Sequence, residues 1–385
     1  MRRRALLHAG CAGCLALARL ARAEDAETWQ PPPRFTRPDP ASDEGGLWAE
    51  MDRAEANLRR SPFRLRDPSL ERAVQAIACR LGDAHCPDIR VYLVHTPYFN
   101  ASMAPNGMMQ VWSGLMLRTD NEAQLAAVLG HEIGHYLQRH SLERLRDAKS
   151  RSAFGQIAGM FGAIGLVAQF GAIAGMYAYS RDQESEADRI GAQLMHRAGY
   201  DVAEAAKVWS NLLLEVQARP NGTSSSPLFA THPPTQERET ALRALAARYA
   251  GGTSGEEAWL RGVAPFLRPW LNDEIKRGQH EESLAFLTRA LARPAGKAEY
   301  LFARGEVYRL RARASDFDQQ SALEDFRAAI AAGNEPPETY RSLGMIYRAR
   351  KESAAAQASF ARYLELAPKA PDAAMVRNYI EELRT

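Results

Sequence analysis

The chain has 385 residues, 46% of them hydrophobic and 25% charged, with a formal net charge of +3. That length accommodates two domains. The positive excess belongs to the first 23 residues, which hold five arginines; without them 44 basic residues face 46 acidic ones, and a net of about −2 argues against nucleic acid as a partner.

Residues 1–23 carry Arg2-Arg3-Arg4, an apolar run from Ala5 to Leu20, and Ala21-Arg22-Ala23 as a small-x-small cleavage site. This is an export signal cut near Ala23, with the twin-arginine route left open beside the general one. Neither Cys11 nor Cys14 has leucine three positions before it, which argues against a lipoprotein. Export leaves Cys79 and Cys86, close enough to pair across a short loop in an oxidising compartment.

Residues 24–45, rich in proline, read as an extended arm, and residues 46–250 as the first domain. Within that domain Leu47 to Leu58 and Leu70 to Leu81 have helical patterns, and Ile89 to Val94 is a short β-branched strand. Gly107 to Trp112 is a second strand, and Met108, Met109, Gln110 and Val111 are expected to offer a free edge to an extended substrate.

Thr119 and Glu122 have the spacing of a capping box before the apolar run that contains His131-Glu132-Ile133-Gly134-His135. Histidines four apart on a helix differ by about 40° in azimuth, so both imidazoles face one metal ion. Two imidazoles and a carboxylate suit Zn²⁺, and Glu132, beside the histidines, stands where a general base is needed. A third histidine at the metzincin spacing is missing: that position is Ser141, and His140 lies about 140° from His135 on a continuous helix.

Residues 152–180 contain no charged side chain and six glycines. A single membrane crossing would separate His135 from the residues after 180, and two crossings need roughly 40 residues. The segment is therefore expected to leave and return on one side, as a helical hairpin buried in protein or in peripheral contact with a membrane surface.

The third ligand is expected from Ser180 to Arg189, where Glu184 and Asp188 are four apart, so one can bind metal while the other orients a ligand histidine. Farther on, His232 in Thr231-His232-Pro233-Pro234 follows a Pro/Gly/Ser loop at 220–227. It can fill the open metal position as a fourth ligand or donate to the oxyanion of the transition state.

Residues 251–263 read as a linker and 264–385 as a helical repeat domain. Tyr340, Leu343, Gly344, Tyr347, Ala356, Phe360 and Pro368 fall at positions 4, 7, 8, 11, 20, 24 and 32 of a tetratricopeptide unit, with Tyr363 departing at position 27. Gly305, Tyr308, Ala322, Phe326 and Ala329 mark a preceding unit with an insertion near 315–319. Ser283, Leu287, Ala290 and Pro294 mark an earlier, degraded one, and 373–383 can cap the stack. Such a solenoid exposes a concave groove for peptides or partner proteins.

Taken together, Asn100-Ala101 with Pro105 and Gly107, then His131 to His135, then Glu184 with Ala187-Asp188, resemble the M48 metallopeptidases over roughly residues 46–250. A His-Pro pair followed by an acid-arginine pair is matched by His232-Pro233 and Glu237-Arg238. The resemblance implies one Zn²⁺ per chain on His131, His135 and Glu184, Glu132 as the base, Asp188 behind a ligand histidine, and His232 near the site. It also implies a fold that is mainly α with a small β-sheet, a zincin-type domain followed by an α-solenoid. The order of export signal, M48 domain and repeats is similar to the M48 branch that serves outer-membrane protein quality control in the periplasm. Expected substrates are then unfolded or stalled polypeptides, with the repeats contacting the outer-membrane assembly machinery. The competing reading is a chaperone or scaffold that binds clients through the repeats, its zinc site latched and idle.

Overall fold

The computed structural model describes residues 29–150, 179–219, 228, 232–233, 235–311 and 316–384. The export signal, nearly all of the uncharged segment 152–180 and the 220–227 loop lie outside the described residues. The chain divides at Phe35/Thr36 into two compact units. Residues 29–35 of the first have no helix or strand, and among the described residues every helix and strand belongs to the second, Thr36–Thr385.

Helix α1 (Asp43–Arg60) starts where Ser42 Oγ accepts from the Gly45 amide, with Asp43 and Glu44 at the positive end of the helix and Arg59 and Arg60 at the other. Helix α2 (Pro68–Gly82) follows, capped by Asp67. A disulfide between Cys79 and Cys86 closes the 3₁₀ turn Asp83–Asp88 behind it.

Strands β1 (Arg90–Val94), β2 (Ala101–Met103) and β3 (Met108–Trp112) form one sheet in the order β1-β3-β2, with β1 parallel and β2 antiparallel to β3. The expectation that Met108, Met109, Gln110 and Val111 present a free edge is therefore wrong. β3 is the central strand, because the chain folds back through the Ala104–Gly107 turn and Ala101–Met103 takes up its second edge. Gly107 permits that turn: its φ is 86°, and a Cβ there would lie 2.1 Å from the Asp88 carbonyl oxygen. On the other side, the outer edge of β1 is bonded to 63–65, where Leu65 N–H donates to Leu93 O and His95 N–H to Phe63 O. Among the described residues no strand pairs with the outer edge of β2. Buried Glu55 ties α1 to this sheet, accepting from Arg90, the Tyr92 hydroxyl and Asn106.

Helix α3 (Ser113–Arg118) leads to α4 (Glu122–Leu137), which is buried along almost its whole length. The cap of α4 is Asn121, whose side chain accepts from the Gln124 amide; Thr119, expected in that role, instead bonds back to Met116 O. After Leu137 the helix breaks at Arg139, φ 57°, and α5 (His140–Ser150) begins as a separate helix. Helix α6 (Arg181–Arg197) begins in a capping box of Ser180 and Gln183 and crosses α4 over Gly130, Gly134, Ala187 and Gly191. Helices α7 (Ala203–Gln217) and α8 (Gln236–Arg248) pack on each other and onto α4 and α6.

The stretch expected as a linker is packed structure. Ser254 O accepts from Ala123 N–H at the start of α4. Helix α9 (Glu256–Val263) buries Trp259, whose indole N–H donates to Thr119 O. Helix α10 (Leu267–Lys276) and α11 (His280–Ala290) form the first pair beyond it. There, fully buried Arg118 of α3 is held by Glu215 at 2.7 Å and Glu274 at 2.8 Å, and Arg289 and Arg293 both reach Asp120.

Helices α12 (Lys297–Arg311) and α13 (Asp316–Ala332), then α14 (Glu338–Ala349) and α15 (Ser353–Leu366), form two further antiparallel pairs, and α16 (Ala373–Glu382) closes the end. Residues 316–319, expected within an insertion, are the first turn of α13. In each pair a glycine lies under a phenylalanine ring: a Cβ would come within 2.7 Å of Phe326 at Gly305 and 2.5 Å of Phe360 at Gly344. Tyr363, which departs from the repeat pattern, is buried and donates its hydroxyl to Asp372. Among the described residues no helix is long and apolar enough to cross a membrane.

Candidate metal centre

His131 and His135 lie one turn apart on α4, and the close crossing of glycine-lined helices sets Glu184 of α6 against them. His232, just before α8, completes the group. One ligand atom from each of the four lies within 4.8 Å of every other, and all four residues are buried. His131 Nε2 is 3.1 Å from His135 Nε2 and 3.1 Å from His232 Nδ1; Glu184 Oε1 is 2.7 Å from His232 Nδ1 and 3.4 Å from His135 Nε2.

These separations fit a single small ion. Ligand atoms about 2.0–2.1 Å from a tetrahedral zinc stand roughly 3.3 Å from one another. Three imidazoles and one carboxylate are a donor set for that metal.

Behind the ligands, His131 Nδ1 donates to Asp188 Oδ1 at 2.8 Å. Asp188 is gripped by Arg238 through Nε and Nη2, both at 2.8 Å, while Arg238 Nη1 reaches Glu184 Oε2 at 2.8 Å. The guanidinium lies 4.3 Å over the Trp209 ring, whose edge-on partner is His131. Burial acts to raise the carboxyls of Asp188 and Glu184, yet Arg238 holds Asp188 and His232 with the ligand histidines holds Glu184 below the usual carboxylate range. Burial drives His135 well below the ordinary imidazole value. His131 is raised, because Asp188 and Glu184 outweigh its burial.

Glu132 is buried beside this group, and burial pushes its carboxyl up against the pull of His232 and His131. Its Oε1 is buried without a hydrogen-bond partner among the described residues, 3.6 Å from His232 Nε2. Beside it opens a cavity of about 130 Å³ walled by Leu47, Met51, Met103, Met108, Leu145 and Tyr179. β2 runs along this cavity; of the residues expected to meet substrate, Met108 and Gln110 line it, while Met109 and Val111 do not.

Helical spacing in the sequence pairs His131 with His135 and Glu184 with Asp188, the family resemblance adds Glu132 as base and His232, and the structure places all six at one point. Three further residues of the site escape the sequence. Tyr179, whose hydroxyl burial pushes up to about 12, stacks on His135 at 3.9 Å and bonds to Ser141. Trp209 carries no signal beyond an apolar helical pattern. His140 is excluded only by the geometry of a continuous helix, and that helix ends at Leu137.

Known proteins share parts of this sequence. Residues 64–246 match the model of Peptidase family M48. The chain is 34% identical over 200 residues to the Beta-barrel assembly-enhancing protease of Escherichia coli (strain K12), covering 47% of this chain and 40% of that one. It is 30% identical over 272 residues to the protein of the same name from Yersinia pestis, covering 63% and 53%. With Metalloprotease YcaL of Escherichia coli (strain K12) the identity is 34% over 162 residues, 40% of this chain and 60% of the relative. The matches thus span about two fifths to three fifths of these relatives' lengths. M48 metallopeptidases use zinc, the metal that the donor set fits. Residues 64–246, which contain both helices of the site, are a peptidase family M48 domain.

Proposed function

We propose that the protein is a zinc-dependent endopeptidase. The observation that carries the reading is the orientation of α4: its two histidines meet Glu184, while Glu132, between them in sequence, turns a carboxylate oxygen with no described partner toward a cavity bordered by β2, whose outer edge no described strand pairs with.

Zinc held by His131, His135 and Glu184 would supply Lewis acidity to a water and to the scissile carbonyl. Glu132 takes the proton of the attacking water at Oε1 and returns it to the leaving amine. Its burial favours the protonated form and so suits it to both transfers. The substrate backbone adds as a strand to β2, with one side chain in the apolar cavity. Asp188 and Arg238 hold His131 and Glu184 in place.

The substrates are unfolded or stalled polypeptides, outer-membrane proteins among them, in the periplasm. The predicted export signal, the Cys79–Cys86 disulfide and relatives named for β-barrel assembly support this. The helical pairs from α10 to α15 are tetratricopeptide-like repeats that bind clients or assembly partners, supported by the Gly–Phe packing repeated in two of them.

A latched state is favoured by one contact. With Nδ1 2.7 Å from Glu184 and 3.1 Å from His131, His232 supplies a fourth protein atom, as in closed zinc sites. Held there, the protein is a chaperone or scaffold; released, it is a peptidase.

Zinc stoichiometry and casein cleavage, measured together on the wild type, Glu132→Gln and Glu184→Ala, test the assignment. One zinc per chain, retained in Glu132→Gln and lost in Glu184→Ala, with cleavage lost in both, is the expected result. Stoichiometric zinc with no cleavage by the wild type shifts the function to the latched form, and absence of zinc overturns the reading.

A further inference from the structure

The two ligand histidines are backed differently. His131 gives its Nδ1 proton straight to a carboxylate, Asp188. His135 Nδ1 instead meets another imidazole, His140 Nδ1, at 2.8 Å, and His140 Nε2 lies 3.3 Å from Glu186 Oε2. Gln138 donates to the other oxygen of Glu186. The left-handed Arg139 makes the arrangement possible, since it ends α4 and brings His140, the first residue of α5, back over the imidazole it would miss on a continuous helix. His140 is 2% exposed.

We propose that His140 and Glu186 are positioning residues for His135, acting as a relay that fixes its tautomer and ring plane. The inference rests on the metal-site reading above. His135 turns Nε2 toward His131 and Glu184, so a metal takes the lone pair of that nitrogen and the ring proton resides on Nδ1. His140 Nδ1 must then accept, which places the His140 proton on Nε2, where it is donated to Glu186. Each hydrogen bond dictates the next, and Glu186, three bonds from the metal position, selects the form of His135 that can bind. Tyr179 stacked on His135 restrains the same ring from its face.

Chelator competition on the intact protein measures the effect. His140→Ala leaves the His135 Nδ1–H without an acceptor, and zinc should bind about 10–100-fold more weakly. His140→Gln, which offers an acceptor to His135 and a donor to Glu186, should recover most of that loss. Glu186→Ala, at a side chain 35% exposed, should weaken zinc by a smaller factor, and that factor should vanish in the His140→Ala background. Nitrogen chemical shifts of His135 in the metal-free protein give a reading independent of zinc: an Nδ1–H form in the wild type, a mixture in His140→Ala. Wild-type zinc affinity in His140→Ala, or a Glu186→Ala effect that persists without His140, overturns the relay. A wild type that binds no zinc, with the His135 tautomer still set by His140, sinks the metal assignment and leaves the relay standing.

Discussion

Gly191 faces His131 so closely that a Cβ added to it would lie 3.0 Å from the His131 backbone nitrogen. The helix carrying Glu184 and Asp188 therefore touches the helix carrying the two histidines backbone to backbone, and ligand spacing is set by what these positions lack.

Replacing Gly191 with leucine should push α6 away from α4. Overpacking of this kind costs about 1–3 kcal/mol, and zinc occupancy should fall with it. Urea unfolding and metal analysis of the same sample check both; an unchanged occupancy would show that the crossing has slack.

His232→Ala should keep one zinc per chain, because His131, His135 and Glu184 remain, and should raise the rate of casein cleavage by opening the fourth position. A lower rate with zinc intact would instead give His232 a part in the transition state.

Glu55 provides a pH signature away from the metal. Burial alone would raise its carboxyl, but hydrogen bonds from Arg90, Tyr92 and Arg59 lower it from 4.5 to about 2. The folded value lies below the unfolded one, so the stabilisation is complete above pH 4.5 and is lost as pH falls toward 2. Glu55→Gln should lack this part of the acid sensitivity, worth roughly 3 kcal/mol at 1.36 kcal/mol per unit. Urea midpoints of both proteins at several pH values below neutrality test it: the gap between them should narrow with acid.

Arg118→Met removes the cation that buried Glu215 and Glu274 share and leaves them the cations Arg289 and Arg277 respectively. Breaking a buried pair costs about 3–5 kcal/mol where the remaining charge is uncompensated, and the two remaining arginines should hold the loss below that. Arg118→Met combined with Glu215→Gln and Glu274→Gln should recover much of it. Urea unfolding curves of the single and triple variants decide, and a loss below about 1 kcal/mol would mean that the pairs of Glu215 with Arg289 and Glu274 with Arg277 suffice without Arg118.

The chemistry is legible in the sequence because it is local: His131, Glu132 and His135 occupy one helical turn, and Glu184 and Asp188 another. The helical pairs are legible because glycine and phenylalanine recur at fixed spacing. Chain reversals hide the rest. Ala101–Met103 is too short to show a strand period, so the central position of β3 stays concealed. His140 is misplaced because a single left-handed residue, Arg139, cancels the helical wheel that excludes it. The Gly251–Gly255 stretch has the composition of a linker, yet Ser254 and Trp259 bond back to the start of α4, a partnership that no local pattern encodes.

The outer strand β2 is three residues long. An edge of that length spans about 10 Å and can exchange hydrogen bonds with only a few residues of a guest chain. A segment inside a folded domain has already committed its amides and carbonyls to neighbours and has nothing to offer such an edge. Under the proposed strand addition, β2 would screen for the state of a polypeptide more than its spelling: any chain slack enough to lie flat for one short stride would be a candidate, and a well-folded one would be passed over.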